Sequence, residues 1–359
     1  MSASFVFSAP TITKENLRVY DARKSPLSLH GLYKPEEAGN FKRLPEDVAL
    51  SLGDPIKDLY TNTAGARLRF ATDSDVIAVG AVYPKTNFPS PLSAALSGLG
   101  AFCFDLYADG SHMRVLWPEN FYCEDSLVRL AVPEGRYEAI APFGTRRMRE
   151  ITLFFPSFVN VSEVYIGVRE DACVKAAAPY QNEKPIVFYG SSITQGACAA
   201  RAGNTYPNIL SRRFNVDIMN LGFAAGCRAE KEIIDYLTTL SPSLLVFDYD
   251  HNAPDVAYLE RTHLPALEKL REAHPHIPFL LLSKPNMHTG PEQAALRAAI
   301  IRKSAEKLAK KNAPVHFIDG GEIWKSADSE MMTVDRTHPT DLGFFAMAEA
   351  VSKVFGLYF

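Results

Sequence analysis

Residues 186–196 read Ile186-Val-Phe-Tyr-Gly190-Ser-Ser192-Ile-Thr-Gln-Gly196. Four apolar residues rich in β-branched and aromatic side chains predict a buried strand. Gly190 breaks the run, which leaves Ser192 where the chain departs from the strand's carboxyl end. In open α/β sheets ligands bind at that edge. A serine on a sharp strand-to-helix turn presents a hydroxyl that can act as a nucleophile. The stretch therefore predicts where the partners of Ser192 lie: at the carboxyl ends of neighbouring strands.

Working outward, the chain divides by period. From residue 185 onward, apolar strand-length runs at 186–189, 216–219, 244–248, 278–283 and 315–318 alternate with helical patterns. The helical patterns begin near Thr205, Arg228, Asp255, Pro291 and Asp341. Such alternation implies a parallel sheet covered by helices on both faces, a three-layer α/β/α sandwich. Before residue 180 the pattern is different. Ala66-Arg-Leu-Arg-Phe-Ala alternates with period two, as does part of Asp75-Val-Ile-Ala-Val-Gly, and turn signals such as Asp109-Gly110 separate the runs. This suits an all-β sandwich or jelly roll. The 359 residues exceed one ordinary core. The expected division is a β domain over 1–180 and a catalytic domain over 181–359, joined by a linker at 176–185.

Composition narrows the classes of function. The net charge is -3, with 47% hydrophobic and 22% charged residues and no basic block. That argues against nucleic acid as the partner. No apolar run spans a bilayer. The N-terminus lacks a basic n-region with an apolar core, so no signal peptide is expected. The five scattered cysteines contain no Cys-x-x-Cys pair. Reduced thiols in a cytoplasmic protein are the expectation, with no metal site. Asn160-Val-Ser162 matches a glycosylation sequon, a match expected to be accidental without secretion.

A nucleophilic serine needs a base, an orienter for the base and donors for the developing oxyanion. After strand 216–219 comes Asn220-Leu-Gly222, where a residue without a side chain lets its N–H approach a substrate oxygen. After strand 244–248 comes Asp248-Tyr-Asp-His-Asn252-Ala-Pro254, where Asn252 offers a side-chain N–H. The Ser192 N–H is the third expected donor. Near the C-terminus, Asp335-Arg-Thr-His338-Pro339 puts a carboxylate three residues before an imidazole. That spacing lets Asp335 fix the tautomer of His338 as it takes the serine proton. Singly, each motif has a plainer explanation: a turn, an Asx-turn before Pro254, a helix N-cap beside a packed histidine. Their joint occurrence at successive strand ends points to acyl transfer.

These motifs resemble those of the SGNH hydrolases, also called GDSL esterases, over residues 185–359. The resemblance implies Ser192 as nucleophile, Asp335 and His338 as its partners, and Ser192, Gly222 and Asn252 as the oxyanion hole. Three departures stand out. Ser191 occupies the position where Asp is usual, Asp250-His-Asn252-Ala replaces Gly-x-Asn-Asp, and Arg336 replaces a small residue. The first half resembles the β domain that precedes one SGNH subgroup. Phe102-Cys-Phe-Asp-Leu-Tyr107 is similar to that subgroup's Gly-x-Asp-Leu-Tyr signature, with Cys103 in place of glycine. The implied function is a serine esterase for small O-acyl esters, acetylated sugars above all, with no metal or organic cofactor. Its expected partner is a small-molecule or oligosaccharide ester, with no nucleic acid and no membrane. An acyltransferase using the same triad and a non-catalytic carbohydrate-binding protein are the alternatives. A homo-oligomer stays open.

Overall fold

The computed structural model describes residues 16–86, 95–117, 134–285, 291–310, 314–325 and 329–359. Among them, the first half forms strands β1 (Leu17–Asp21), β2 (Ser28–His30), β3 (Arg67–Thr72), β4 (Val76–Tyr83), β5 (Phe104–Ala108), β6 (Ser111–Leu116), β7 (Gly135–Pro142), β8 (Arg149–Phe154), β9 (Glu163–Arg169) and β10 (Val174–Lys175). One antiparallel sheet runs β1-β9-β4-β7, the other β10-β3-β8-β5-β6, with β2 also paired to β3. Phe70, Val79, Leu106, Leu153 and Ile166 from the two sheets enter one core. Rings also meet across the gap, Phe104 to Tyr137 at 5.3 Å between centroids. The architecture is a β-sandwich, with short helices α1 (Glu46–Ser51), α2 (Ile56–Leu59) and α3 (Gly98–Phe102) in its connections.

The second half forms a parallel sheet of β11 (Ile186–Gly190), β12 (Ile218–Gly222), β13 (Leu244–Asp248), β14 (Phe279–Leu282) and β15 (Val315–Ile318), in the order β12-β11-β13-β14-β15. Helices α4 (Ser192–Gln195), α5 (Tyr206–Phe214), α6 (Lys231–Thr239), α7 (Val256–Ala273), α8 (Pro291–Ala309), α9 (Gly320–Ile323) and α10 (Asp341–Phe355) follow and interleave. Side chains alternate across the strands. Ile186, Phe188, Val246 and Leu280 pack with Leu210 of α5 and Phe344, Met347 and Val351 of α10. Val187, Tyr189, Phe247 and Leu281 pack on the opposite face with α6, α7 and α8, in a core continuous with that of the β-sandwich. Strand β12 begins two residues later than its apolar run, because the Val216 N–H closes a turn onto the Ser211 carbonyl at 3.1 Å. Among the described residues no helix is long and apolar enough to cross a membrane.

Strand order places the site. From β11 the chain moves first to one side, β12, and then to the other, β13. The crevice at the carboxyl end of β11 is thus the switch point of the sheet, where side chains from diverging connections leave room for a ligand. Ser192 opens the helix that follows that strand.

Strand β12 is also an edge, and an edge leaves backbone groups without a ladder partner. The Ile186 N–H takes the Asp217 carbonyl and the Phe223 N–H takes the Gly190 carbonyl, so the odd-numbered peptides of β12 face β11. The carbonyls of Ile218, Asn220 and Gly222 then face outward. Two fully buried arginines of the β domain meet them. Arg67 Nη1 donates to Ile218 O at 3.1 Å, and Arg43 Nη1 donates to Asn220 O at 3.1 Å and Gly222 O at 2.6 Å. Arg43 also donates to Asn62 O at 2.7 Å and Leu59 O at 2.9 Å, and stacks 4.2 Å from the Phe223 ring centroid. Burial lowers its pKa to about 9, still above neutrality, so the cation is retained. Arg67 reaches Tyr180 Oη at 2.7 Å and pairs with Asp217. The period-two pattern of 66–71 therefore does not mark a solvated face. Its polar positions, Arg67 and Arg69, are buried because β12 and residues 176–185 cover that side of β3.

Replacing Arg43 by Leu should remove the donors of four carbonyls at once. Each buried polar group left unpaired costs about 1–3 kcal/mol, so a loss of at least ~3 kcal/mol is expected. The measurement is the urea midpoint. Arg43→Lys should fall between, since an ammonium cannot fork. An unchanged midpoint in Arg43→Leu would contradict the bracing role.

Candidate active site

Ser192 stands at the first turn of α4, capped by Ser191, whose Oγ accepts the Ile193 N–H at 3.1 Å. The position that is usually Asp is thus filled by a working N-cap. Ser192 Oγ lies 2.9 Å from His338 Nε2, and His338 Nδ1 lies 2.7 Å from Asp335 Oδ2. The loop before α10 holds these two residues in place. Asp335 Oδ1 accepts the N–H groups of Thr337 at 3.0 Å and His338 at 2.7 Å. The His338 carbonyl accepts the Val334 N–H at 2.9 Å and Thr333 Oγ1 at 3.0 Å. Burial raises the Asp335 pKa, but the bonds from His338 and Thr337 outweigh it and leave the carboxyl lowered. Asp335 is then ionised at neutral pH, Nδ1 carries the imidazole proton, and Nε2 is free to accept from Ser192. Burial also pulls the His338 pKa down, against the upward pull of Asp335, and the charges of His251 and Lys284 lower it further.

Gly222, expected as an oxyanion donor, is placed differently. Its N–H is spent on Asn220 Oδ1 at 2.9 Å. A Cβ here would lie 2.4 Å from the Gln195 nitrogen, so the glycine serves the close approach of β12 to α4. Asn220 completes this contact by donating Nδ2 to Thr194 O at 2.7 Å. In the turn that follows, the Ala224 N–H goes to Gln195 Oε1 at 2.8 Å and the Gly226 N–H to Phe223 O at 3.0 Å. Between them Ala225 is exposed at φ 56°, and its N–H has no acceptor among the described residues. An alanine in a left-handed conformation, where glycine is the ordinary marker, left no signal in the sequence. Asn252 reaches the same turn. Its Nδ2 donates to the Gly226 carbonyl and lies 3.4 Å from the Phe223 carbonyl. One of its two N–H groups is therefore committed to bracing the turn, and the other has only a long contact.

A charged cluster lies beside the serine. Asp248 ends β13, and its carbonyl accepts the Ser191 N–H at 3.1 Å. Its Oδ2 accepts Thr194 Oγ1 at 2.8 Å, and burial pushes the carboxyl up to about 6. Asp250 Oδ1 lies 3.0 Å from His251 Nδ1, while Oδ2 accepts the Lys284 N–H at 3.1 Å. Arg297 caps the Asp250 and Ala253 carbonyls. Lys284 Nζ reaches Thr337 Oγ1, next to His338, at 3.3 Å. Asp248, Asp250 and His251 present ligand-type atoms within 4.8 Å of one another, but both Asp250 oxygens already face N–H donors. Arg336 is exposed.

The β domain steadies the loop that follows α4. Asp105 Oδ2 accepts the Gly203 N–H at 2.9 Å, and Tyr107 Oη accepts Arg201 Nη1 at 2.6 Å. A Cβ on Gly203 would lie 2.5 Å from Tyr107 Oη, so only glycine lets the Asp-Leu-Tyr segment dock this closely. Ser97 Oγ donates to Ala200 O at 2.9 Å and Gln195 Nε2 to Ser157 O at 3.2 Å. Of the 83–98 loop considered as a cover for the cleft, residues 87–94 lie outside the described residues. Phe102, Phe104 and Tyr107 are buried, while Trp117 is 40% exposed.

Residues 183–356 match the GDSL-like lipase/acylhydrolase family, and residues 17–174 match the N-terminal domain, named GxDLY, of SGNH hydrolase-type esterases. No curated protein sequence matches the chain. Among solved structures, the chain is similar to a Bacteroides ovatus protein described as a GDSL-like lipase, with a TM-score of 0.79 and 28% identity over 95% of this chain and 98% of that one. A salicylyl-acyltransferase from a tetracycline biosynthetic pathway gives 0.72 and 21% over 95% and 98%. A family two carbohydrate esterase from Cellvibrio japonicus gives 0.61 and 12% over 94% and 97%. At these identities the last two share the fold.

The electrostatics predict a pH profile. His338 accepts a proton only when neutral, so turnover of p-nitrophenyl acetate should be full above the ordinary imidazole value of ~6.5 and fall only at lower pH. Lys284→Met removes a positive charge near His338 and should move this acid limb to higher pH. A limb that stays in place would show that Lys284 does not act on His338.

Proposed function

We propose that this chain, which belongs to the SGNH (GDSL-like) hydrolase family and carries that family's N-terminal β domain, is a serine esterase that cleaves small O-acyl esters, acetyl esters of carbohydrates above all. The observation that carries the reading is the unbroken relay from Ser192 Oγ to His338 Nε2 at 2.9 Å and from His338 Nδ1 to Asp335 Oδ2 at 2.7 Å. Ser192 attacks the acyl carbonyl while its proton passes to His338, and Asp335 stabilises the imidazolium. The tetrahedral oxyanion is met by the Ser192 N–H, the Ala225 N–H and the less committed N–H of Asn252. His338 then gives its proton to the leaving alkoxide. Water, deprotonated by His338, attacks the acyl carbonyl, and as the acyl–oxygen bond breaks Ser192 takes the proton back from His338 and the acid is released. Each step is carried by side chains and amides of this chain.

Two further features support a hydroxylated substrate. The side chains that adjoin the Ser192–His338 pair are polar: Lys284 reaches Thr337 beside His338 and holds Asp250, which faces His251. The same fold also serves the Cellvibrio japonicus carbohydrate esterase. In this reading residues 181–359 carry the chemistry. Residues 1–180 brace β12 and the loop after α4.

Ser192→Ala should lower turnover of p-nitrophenyl acetate at least ~10⁴-fold, as loss of a nucleophile does in other triads. Its urea midpoint should stay that of the wild type. Asn252→Ala should cost ~10²-fold or more in kcat if it supplies an oxyanion donor. Residual full activity in Ser192→Ala would sink the mechanism. Product analysis on acetylated mono- and oligosaccharides, with and without an added alcohol, separates the outcomes. Free acetate alone means hydrolysis, and a new ester means transfer to the alcohol.

A further inference from the structure

The histidine that follows Asp250 is built like a second base. His251 lies in the 250–252 turn after β13, the strand hydrogen-bonded to β11. Its Nδ1 faces Asp250 Oδ1 at 3.0 Å, and the other Asp250 oxygen is held by the Lys284 N–H at 3.1 Å. Burial pushes the Asp250 pKa up, but the bond and charge of His251, the Lys284 N–H and the Arg297 charge together bring it below the usual carboxylate value. An ionised carboxylate can only accept, so Nδ1 of His251 carries a proton and is committed to Asp250, which leaves Nε2 as the uncommitted nitrogen of the ring. The side chain is only 9% exposed, and Nε2 is buried with no partner among the described residues. Buried polar atoms of folded proteins are nearly always paired, so an orphan of this kind calls for a ligand.

Its surroundings say which ligand. His251 lies close enough to His338 for its charge to bear on that ring. Lys284, whose N–H holds Asp250, also reaches Thr337 beside His338. The orphan nitrogen thus belongs to the group of side chains that adjoins the Ser192–His338 pair. A hydroxyl can both give and take a hydrogen bond, so it can pair with this nitrogen whichever role the ring plays. We propose that His251, oriented by Asp250, makes a hydrogen bond through Nε2 with a free hydroxyl on the alcohol part of the ester, and so selects polyhydroxylated alcohols over apolar ones. This rests on the esterase reading above and specifies the alcohol side of the same site. His251 takes no proton in the reaction; it is a specificity-determining contact that a simple aryl ester cannot make.

The test compares a mono-O-acetylated glucose, which keeps free hydroxyls, with p-nitrophenyl acetate, which has none. The quantity is the ratio of their kcat/KM values. His251→Phe keeps volume but removes the ring nitrogen, and should lower the ratio ~10–100-fold. His251→Gln sets an amide oxygen near the position of Nε2 and should recover part of it. A ratio unchanged in His251→Phe overturns the inference, even if both esters are turned over more slowly, because a merely structural defect slows both alike. If the wild type turns over neither ester, or if Ser192→Ala remains active, the esterase reading itself fails and this inference falls with it. Ser192-dependent turnover with an unchanged ratio overturns the inference alone.

Discussion

The outer edge of β12 is the constraint on which the rest depends. A parallel sheet must end somewhere, and here its edge strand ends at the turn that faces the candidate nucleophile. The carbonyls of Ile218, Asn220 and Gly222 lie in a dry contact between the two halves and need donors that water cannot supply. Arg43 and Arg67 supply them from the β domain. A guanidinium suits the task because its planar fork reaches several carbonyls at once. Arg43 bonds four and has no carboxylate among its hydrogen-bond partners. The cation is kept in the interior by carbonyl dipoles and by the face of Phe223.

This arrangement ties the two halves energetically as well as spatially. One apolar core runs from the sandwich through to one face of the parallel sheet. The Asp-Leu-Tyr segment of β5 docks on the loop that follows α4, while Arg43 holds the last carbonyl of β12. Both elements that flank Ser192, the loop on one side and the 223–226 turn on the other, are therefore positioned by the β domain. The β domain thereby shapes the surroundings of Ser192.

Inside the crevice, charge is arranged in opposed pairs. Asp335 orients His338 and Asp250 orients His251, so two neighbouring imidazoles each have Nδ1 committed to a carboxylate. Lys284 lies between the two sets, touching Asp250 through its backbone and Thr337 through its ammonium. Beneath them Asp248, raised to about 6 by burial, holds Thr194 of α4. The serine's helix is thus anchored from below by β13, from one side by Asn220 of β12, and from another by Ser157 and Asn62 of the sandwich.

Much of this was legible in the sequence, because local rules suffice for it. The change from period two to alternating strand and helix marks the sandwich and the parallel sheet. Ser192 follows a broken apolar run, and Asp335 reaches His338 because three residues of one turn bring them together. The structure brings Ser192 onto the same pair from 146 residues away, as the order of strand ends implies. What the sequence left unspoken depends on partners distant in the chain. The Gly222 N–H is consumed by Asn220, the amide of Ala225 has no acceptor among the described residues in a conformation its residue type does not announce, and Arg67 and Arg69 occupy a polar stripe that another sheet covers. Periodicity records which face of a strand is polar. Only the tertiary structure decides whether that face meets water or the carbonyl edge of another strand, because the demand for a hydrogen-bond partner arises only when both are taken out of solvent.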